Sequence, residues 1–154
     1  MMTTTSPWSV RGLRFLAVLS LPLVLSGCAQ SEDTSEPETI SVSILIHVGD
    51  EDSRWFRDVK ISKGTDAYEL TEKVTEGNMK ATYYAEYRTH FVDAIFGVAS
   101  KDPSYWLSWV WSESQNQWEP LPVGADLYSL KEGHILAWFY ADTSQTDNMP
   151  PVTP

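Results

Sequence analysis

Four tryptophans fall within thirteen residues of this chain, at positions 106, 109, 111 and 118. Tryptophan carries a large ring, and its N–H group needs a hydrogen-bond partner once buried. The surrounding segment "YWLSWVW", from Tyr105, and the later segment "HILAWFY", from His134, are rich in aromatic and branched residues, which favour β-strands. We therefore predict two strands here, and the concentrated tryptophans fit either a core or a surface that holds a ligand.

The segment "ISVSILIHV", from Ile40, alternates apolar and polar residues, which predicts a half-buried strand. The tetrapeptide "GDED" follows as a turn, and "WFRDVKI" (55–61) is predicted to be the hairpin partner. Two more strands are predicted in "ATYYAEY" and in "HFVDAIFGV", which ends near Gly97. Pro120, Pro122 and Gly124 predict an irregular arm before the last strand.

A helix is predicted between the first hairpin and the later strands, near residues 66–76. Thr65 is placed as its N-cap and Gly77 as its C-terminal stop. Ala67, Leu70 and Val74 share one face at helical spacing. One helix laid across a mixed sheet predicts an α+β fold, and a β-grasp-like domain is the candidate.

The N-terminal residues are predicted to be a targeting segment rather than part of the fold. Arg11 and Arg14 precede the apolar run "FLAVLSLPLVLSG", which is short for a membrane span and ends in small residues. The only cysteine, Cys28, follows directly in "LSGC", which resembles the prokaryotic lipobox. That resemblance implies a diacylglyceryl group on Cys28, hence a lipid anchor on the extracytoplasmic face of the cell membrane. A free or buried thiol is the alternative.

Composition divides the chain into four segments. We predict a lipoprotein signal peptide (1–27), an acidic disordered tether (28–39), the folded domain (40–141) and a disordered tail (142–154), in which Pro150 and Pro151 exclude regular structure. The formal charge is −10, and no cluster of Lys and Arg is present to bind a phosphate backbone. Nucleic acid is therefore not an expected partner.

No pattern of residues indicates catalysis or a resident metal. His47, His90 and His134 lack the close spacing of zinc ligands and are expected to be structural. "DEDS", from Asp50, has three acids but lacks the glycine and distal glutamate of a calcium loop, so a solvated hairpin tip is preferred. No Gly-x-Ser-x-Gly motif occurs. We expect a protein that is not an enzyme and has no cofactor.

Three stretches resemble a known family. "HFVDAIFGV", "YWLSW" and "VGADLYSLKEGHILAWFY" are similar to the C-terminal β-domain of transcobalamin and intrinsic factor, and to exported β-grasp modules of unknown function. The shared features are Gly97, the pair Tyr105 and Trp106, the Gly124–Tyr128 arm and an acidic-glycine turn at Gly133. In the vitamin carriers this domain forms one wall of a cobalamin site. The resemblance therefore implies a ligand wall at Tyr105 and Trp106, with cobalamin as a ligand rather than a cofactor.

Strand alternation places Trp109 and Trp111 on one face, where we expect them to pack under the helix, and Trp106 among serines on a wetter face. The expected function is a ligand-binding module for a corrinoid or another flat amphipathic molecule. A protein-interaction or structural surface module, with a partner protein on the same aromatics, is the alternative. Carbohydrate stacked on tryptophan is a third.

Overall fold

The structure is a computed structural model that describes residues 37–48 and 52–154. The signal segment, Cys28 and most of the tether lie outside these residues, as do Asp50 and Glu51 of the first turn. The strands and the helix are β1 (Thr39–Val48), β2 (Asp52–Ser62), α1 (Ala67–Val74), β3 (Met79–Tyr84), β4 (Thr89–Ile95), β5 (Val98–Ala99), β6 (Ser104–Ser112), β7 (Gln117–Pro120) and β8 (Ile135–Asp142).

The strands form two sheets, and the predicted α+β class is confirmed. Five strands form a mixed sheet in the order β2-β1-β8-β6-β7, and three form a smaller sheet in the order β3-β4-β5. The first and last strands of the domain, β1 and β8, run parallel at the centre of the larger sheet, whereas the other neighbours are antiparallel. A single helix between β2 and β3 packs on this sheet, as the sequence indicates.

The N-cap of helix α1 lies one residue later than predicted. Asp66, rather than Thr65, is the N-cap: its side chain accepts from the Glu69 N–H at 2.8 Å, and the Glu69 carboxylate accepts from the Asp66 N–H at 3.2 Å. This reciprocal capping box satisfies two N–H groups that the first helical turn leaves unbonded. Gly77, with φ of +75°, ends the turn after the helix as predicted.

The main core lies between α1 and the larger sheet. Ala67 and Leu70 on the helix share one buried cluster with apolar side chains of β1, β6 and β8, among them Trp106 and Trp138. Complete burial of a leucine such as Leu70 contributes about 1.5–3 kcal/mol. The smaller sheet adds Val92 and Ile95 from β4 to the same core.

A second cluster covers the opposite face of the larger sheet and corrects two predictions. Trp109 and Trp111 lie in this cluster, not under the helix. Leu45 of β1 also lies there and is fully buried, so β1 is buried on both faces rather than half-buried. A central strand covered by aromatic side chains on one face and by a helix on the other has no wet face, although its sequence alternates.

The segment after β8 differs from the predicted disordered tail. It contains no helix or strand, as Pro150 and Pro151 require, but Pro150 is buried. The carbonyl of Val152 accepts the ring N–H of Trp118 at 2.7 Å, and the Val152 side chain packs on the second cluster. The buried Trp118 N–H needs an acceptor, and the tail supplies it. The folded domain therefore extends beyond residue 141.

Candidate functional site

A cavity of about 410 Å³ lies between the two sheets. One wall comes from Thr89–Val92 of β4 and the other from 106–109 of β6, with Trp138 of β8 beside them. A third side is closed by Pro120, the last residue of β7, and by Gly124 in the arm that follows. A volume of this size falls in the range of small-molecule sites, near its lower end. Most of the lining is aromatic or aliphatic, so the cavity favours an apolar group.

Trp106 forms part of the apolar wall, but it is not the half-exposed residue that the sequence indicates. Its side chain is only 6% exposed and lies on the helix side of the sheet. The ring N–H donates to the carbonyl of Val98 at 2.9 Å, and the ring packs against Tyr140 with centroids 5.3 Å apart. These contacts fix the ring orientation before any ligand arrives.

The serines of β6 explain why the expected exposure of Trp106 was wrong. Ser104, Ser108 and Ser112 alternate with the residues of the second cluster, so they share the helix side with Trp106. Ser108 lines the cavity. A small side chain beside Trp106 leaves space between the sheets, so the serine pattern marks room for a cavity as well as contact with water.

Tyr105 does not join Trp106 in one wall. The two residues are neighbours along β6, and successive strand side chains point to opposite faces. Tyr105 is 40% exposed, and its hydroxyl approaches a carboxylate oxygen of Asp102 at 3.4 Å. The cavity is lined by Trp106 but not by Tyr105. The structure therefore separates the aromatic pair that the resemblance implied as one surface.

Asp126 does not line the cavity itself but holds Thr89 and His90, two polar residues of the lining, through hydrogen bonds. It lies in the short 3₁₀ turn Ala125–Leu127 and accepts three hydrogen bonds from the start of β4. The donors are the Thr89 hydroxyl, the His90 N–H at 3.1 Å and the His90 Nδ1–H at 2.8 Å. Burial raises the pKa of Asp126, but the hydrogen bonds from Thr89 and His90 outweigh burial and hold that pKa below its ordinary value.

His90 is held on several sides. Its ring stacks on Tyr68 of α1 with centroids 4.8 Å apart, and Tyr83 of β3 lies 5.0 Å away at a tilt. Because Nδ1 carries the proton that Asp126 accepts, Nε2 is the acceptor in the neutral ring. The prediction of a structural, hydrogen-bonded histidine fits this arrangement. His90 also lines the cavity, so the same ring can contact a ligand.

Gly124 is required by packing rather than by its backbone angles. Its φ of −56° is open to any residue, yet a Cβ at this position would overlap the Thr89 side chain. The arm therefore approaches β4 closely enough for Asp126 to reach Thr89 and His90. This close approach gives a physical reason for the glycine of the Gly124–Tyr128 stretch.

Sequence reasoning missed most of the residues around the cavity. Thr89 and His90 lie about 36 positions before Asp126, and no local spacing connects them. Phe91, which is 49% exposed, also lines the cavity. Gly124 is the signal that the sequence offers for this contact. A glycine in an irregular, proline-containing arm indicates a place where the backbone passes close to another element.

Two kinds of feature are absent from residues 37–48 and 52–154, the part of the chain that the structure describes. In this part of the chain, no three His, Cys, Asp or Glu side chains are grouped so that they could hold a metal ion. Nor does this part contain a helix with the length and apolar character needed to cross a membrane. Cys28, the predicted lipid attachment site, lies outside these residues.

Comparison with solved structures supports the fold. Haptocorrin in complex with Cbi matches 68% of this chain with a TM-score of 0.54 and 18% identity. A candidate metal-binding protein from Ruminococcus gnavus matches 67% of this chain and 97% of its own, with a TM-score of 0.53 and 14% identity. This chain covers only 26% of the haptocorrin chain. No protein-family model matches the sequence. The search of curated proteins also found no match.

Proposed function

We propose that this chain is a lipid-anchored, extracytoplasmic β-grasp module that binds a small amphipathic molecule without transforming it. The observation that carries the proposal is the cavity between β4 and β6. It combines preformed apolar walls at Trp106 and Trp138 with polar groups at Thr89 and His90, which Asp126 holds in place. Apolar walls with a few fixed polar groups are the usual composition of a ligand pocket.

The β-grasp assignment rests on topology. The helix follows the first hairpin and packs on a mixed sheet in which β1 and β8 are parallel neighbours. The likeness to haptocorrin, whose solved structure is a complex with Cbi, favours a small-molecule ligand for this chain as well. The anchor through Cys28 and the extracytoplasmic location rest on the sequence of the N-terminal segment.

A corrinoid is a weaker candidate than a smaller ligand. A whole corrinoid is larger than a cavity of about 410 Å³, so only one edge of it could enter between Phe91 and Trp138. A ligand that is only partly enclosed gains little affinity, because enclosure supplies most of the buried area. We expect cobinamide to bind no more tightly than about 10 μM, or about −7 kcal/mol.

Exposed aromatic side chains support the second candidate, a protein-interaction module. Phe91 contacts Tyr84 and Tyr87 edge to face, with ring centroids 5.0 and 5.7 Å apart. All three are more than 45% exposed, with Tyr87 at 58%. We call these three residues the hairpin patch. Tyrosines that expose an apolar ring and a hydroxyl are common at protein interfaces.

Calorimetric titration of the full chain in detergent separates the two candidates. The probes are cobinamide and the neutral apolar compound N-phenyl-1-naphthylamine. Ser108→Phe fills the cavity, whereas Ser112→Phe adds the same ring on the same side of β6 outside it. We expect Ser108→Phe to abolish naphthylamine binding and Ser112→Phe to retain it. Absence of heat for both probes with the wild-type chain, up to about 1 mM, would contradict the small-molecule proposal.

The titration needs a check that Ser108→Phe folds. A urea transition and a far-ultraviolet circular dichroism spectrum compare it with the wild type, and Ser108→Leu serves as a milder filling variant. If the two substitutions in the cavity leave binding unchanged in folded protein, the site is elsewhere. Co-purification of one stoichiometric protein, lost on Tyr87→Ala, would favour the interaction module.

A further inference from the structure

The backbone of β6 leaves one residue unpaired at the edge that faces β7. Ser104 exchanges two hydrogen bonds with Lys101 at that edge, at 2.6 and 2.8 Å. Four residues farther along β6, the Ser108 carbonyl accepts the Leu121 N–H at 3.0 Å. Alternate residues of an antiparallel strand direct their backbone groups to the same side. The N–H and C=O of Trp106, midway between these serines, therefore face this edge too.

Neither backbone group of Trp106 has a hydrogen-bond partner there among residues 37–48 and 52–154. Strand β7 pairs only with residues 109–112 of β6 and ends at Pro120, after which the arm turns toward β4. On its other side, Trp106 lies opposite Tyr140 of β8. Antiparallel strands alternate hydrogen-bonded and non-hydrogen-bonded pairs. Because the backbone groups of Trp106 face the β7 edge, Trp106 and Tyr140 form a non-hydrogen-bonded pair. The sheet edge therefore has a gap of one residue.

The gap lies at the cavity. Residues 106–108 of β6 line the cavity, and Pro120 and Gly124 border it where β7 has departed from the edge. The Lys101–Ser104 and Leu121–Ser108 hydrogen bonds close the gap on either side. A ligand in the cavity therefore meets one backbone donor and one backbone acceptor, spaced as an antiparallel strand presents them.

We propose that the ligand is peptide-like and presents one residue in an extended conformation to Trp106. The C=O of this residue accepts the Trp106 N–H, and its own N–H donates to the Trp106 C=O, as in β-strand addition to a sheet edge. Its side chain is apolar, because the cavity lining beside Trp106 is mainly aromatic and aliphatic. The proposal rests on the proposed function, since it names the ligand class for the same cavity.

The negative charge of Asp126 further limits the kind of peptide that can bind in the cavity. Asp126 is hydrogen-bonded to Thr89 and His90 of the cavity lining, and these bonds favour its ionised form. A free terminal carboxylate beside it would be repelled, since like charges at close range are unfavourable. A residue that is internal to a peptide, or that has a blocked carboxyl end, avoids this repulsion, and we take this as the form that pairs with Trp106. A flat corrinoid provides no extended N–H and C=O pair of this geometry, so the two ligand classes make different predictions.

Amide hydrogen exchange followed by nuclear magnetic resonance tests the pairing on the full chain in detergent micelles. The probe is N-acetyl-L-leucine N-methylamide, and its matched control carries a methyl group on the leucine nitrogen. At about ten times its dissociation constant, the probe should slow exchange of the Trp106 amide about tenfold. The Val110 amide, whose residue pairs with Glu119 of β7, should be unaffected. The N-methylated control should bind about tenfold more weakly, for loss of one hydrogen bond.

The outcomes distinguish this inference from the proposed function. If the peptide probe shifts cavity resonances without slowing Trp106 exchange, or the N-methylated control binds equally well, the peptide pairing is overturned. If N-phenyl-1-naphthylamine binds in the cavity and the peptide probe does not bind at its solubility limit, the peptide inference fails while the small-molecule function stands. If neither binds, both fail.

Discussion

The ring N–H of Trp138 donates to the hydroxyl of Thr71 at 2.8 Å, between two residues that are both buried. Thr71 lies on α1 and Trp138 on β8, so this hydrogen bond joins helix α1 to the centre of the larger sheet. Thr71 also donates to the Ala67 carbonyl at 2.7 Å, within the helix. The bond fixes the ring of Trp138, which forms part of the cavity wall.

Substitution of Thr71 by valine should destabilise the domain although the two side chains are nearly equal in shape. The Trp138 N–H would stay buried without an acceptor, at a cost of about 1–3 kcal/mol. Thr82→Val is the matched control, because the Thr82 hydroxyl bonds Asp93 on an exposed surface, and it should change the free energy of unfolding by about 0.5 kcal/mol or less. Urea denaturation measures both. Equal losses in the free energy of unfolding for Thr71→Val and Thr82→Val would show that the hydrogen bond to Trp138 adds no measurable stability.

Trp106→Ala should cost about 3–5 kcal/mol of folding free energy, as expected for a large side chain removed from a core. Tyr105→Ala, at the adjacent and 40% exposed position, should cost no more than about 1 kcal/mol. Denaturant unfolding of the two variants checks the assignment of faces along β6. A larger loss for Tyr105→Ala than for Trp106→Ala would reverse it.

Gly124→Ala should destabilise the arm because its new Cβ overlaps the Thr89 side chain. Overpacking of this kind typically costs about 1–3 kcal/mol. Thr89→Gly removes the obstructing side chain, so the double variant Gly124→Ala, Thr89→Gly should lose less stability than the sum of the single variants. A double-mutant cycle based on thermal or urea unfolding measures this coupling. Strict additivity would argue against the close approach of the arm to β4.

The stability contributed by Asp126 should depend on acid pH. Its folded-state pKa lies below the ordinary value of 3.8, so its contribution is fully present above that value and is lost as the pH falls through the folded-state pKa. Asp126→Asn should therefore flatten the fall in stability below about pH 4. Asp147→Asn, in the exposed tail segment, is the control. An unchanged acid slope in Asp126→Asn would contradict the assignment of the hydrogen bonds from Thr89 and His90.

The order of elements could be predicted because their signals are local. The capping residues and apolar face of α1 occur within about a dozen positions, and each strand carries its own branched and aromatic residues. The face of the sheet to which each side chain points is harder to assign from sequence. Serine at Ser108 fits a wet surface as well as a cavity wall, and only the position of β4 across from it decides between them.

The candidate site could be predicted only in part, because it is built from residues distant in sequence. The aromatic motif indicates Trp106, which lines the cavity, but it groups Tyr105 with Trp106 although strand geometry separates their side chains. Asp126 meets His90 across 36 positions, and the tail meets Trp118 across 34. These contacts depend on how the two sheets and the arm come together, and no periodicity within one segment encodes that arrangement.

The most direct test of the ligand-binding account is to locate a bound probe by intermolecular nuclear Overhauser effects. N-phenyl-1-naphthylamine is added to the full chain, and contacts from its rings to protein protons are recorded. The account predicts contacts to the indole protons of Trp106 and Trp138, lost in Ser108→Phe. Contacts confined to Tyr84 and Tyr87 of the hairpin patch, unchanged by Ser108→Phe, would contradict it.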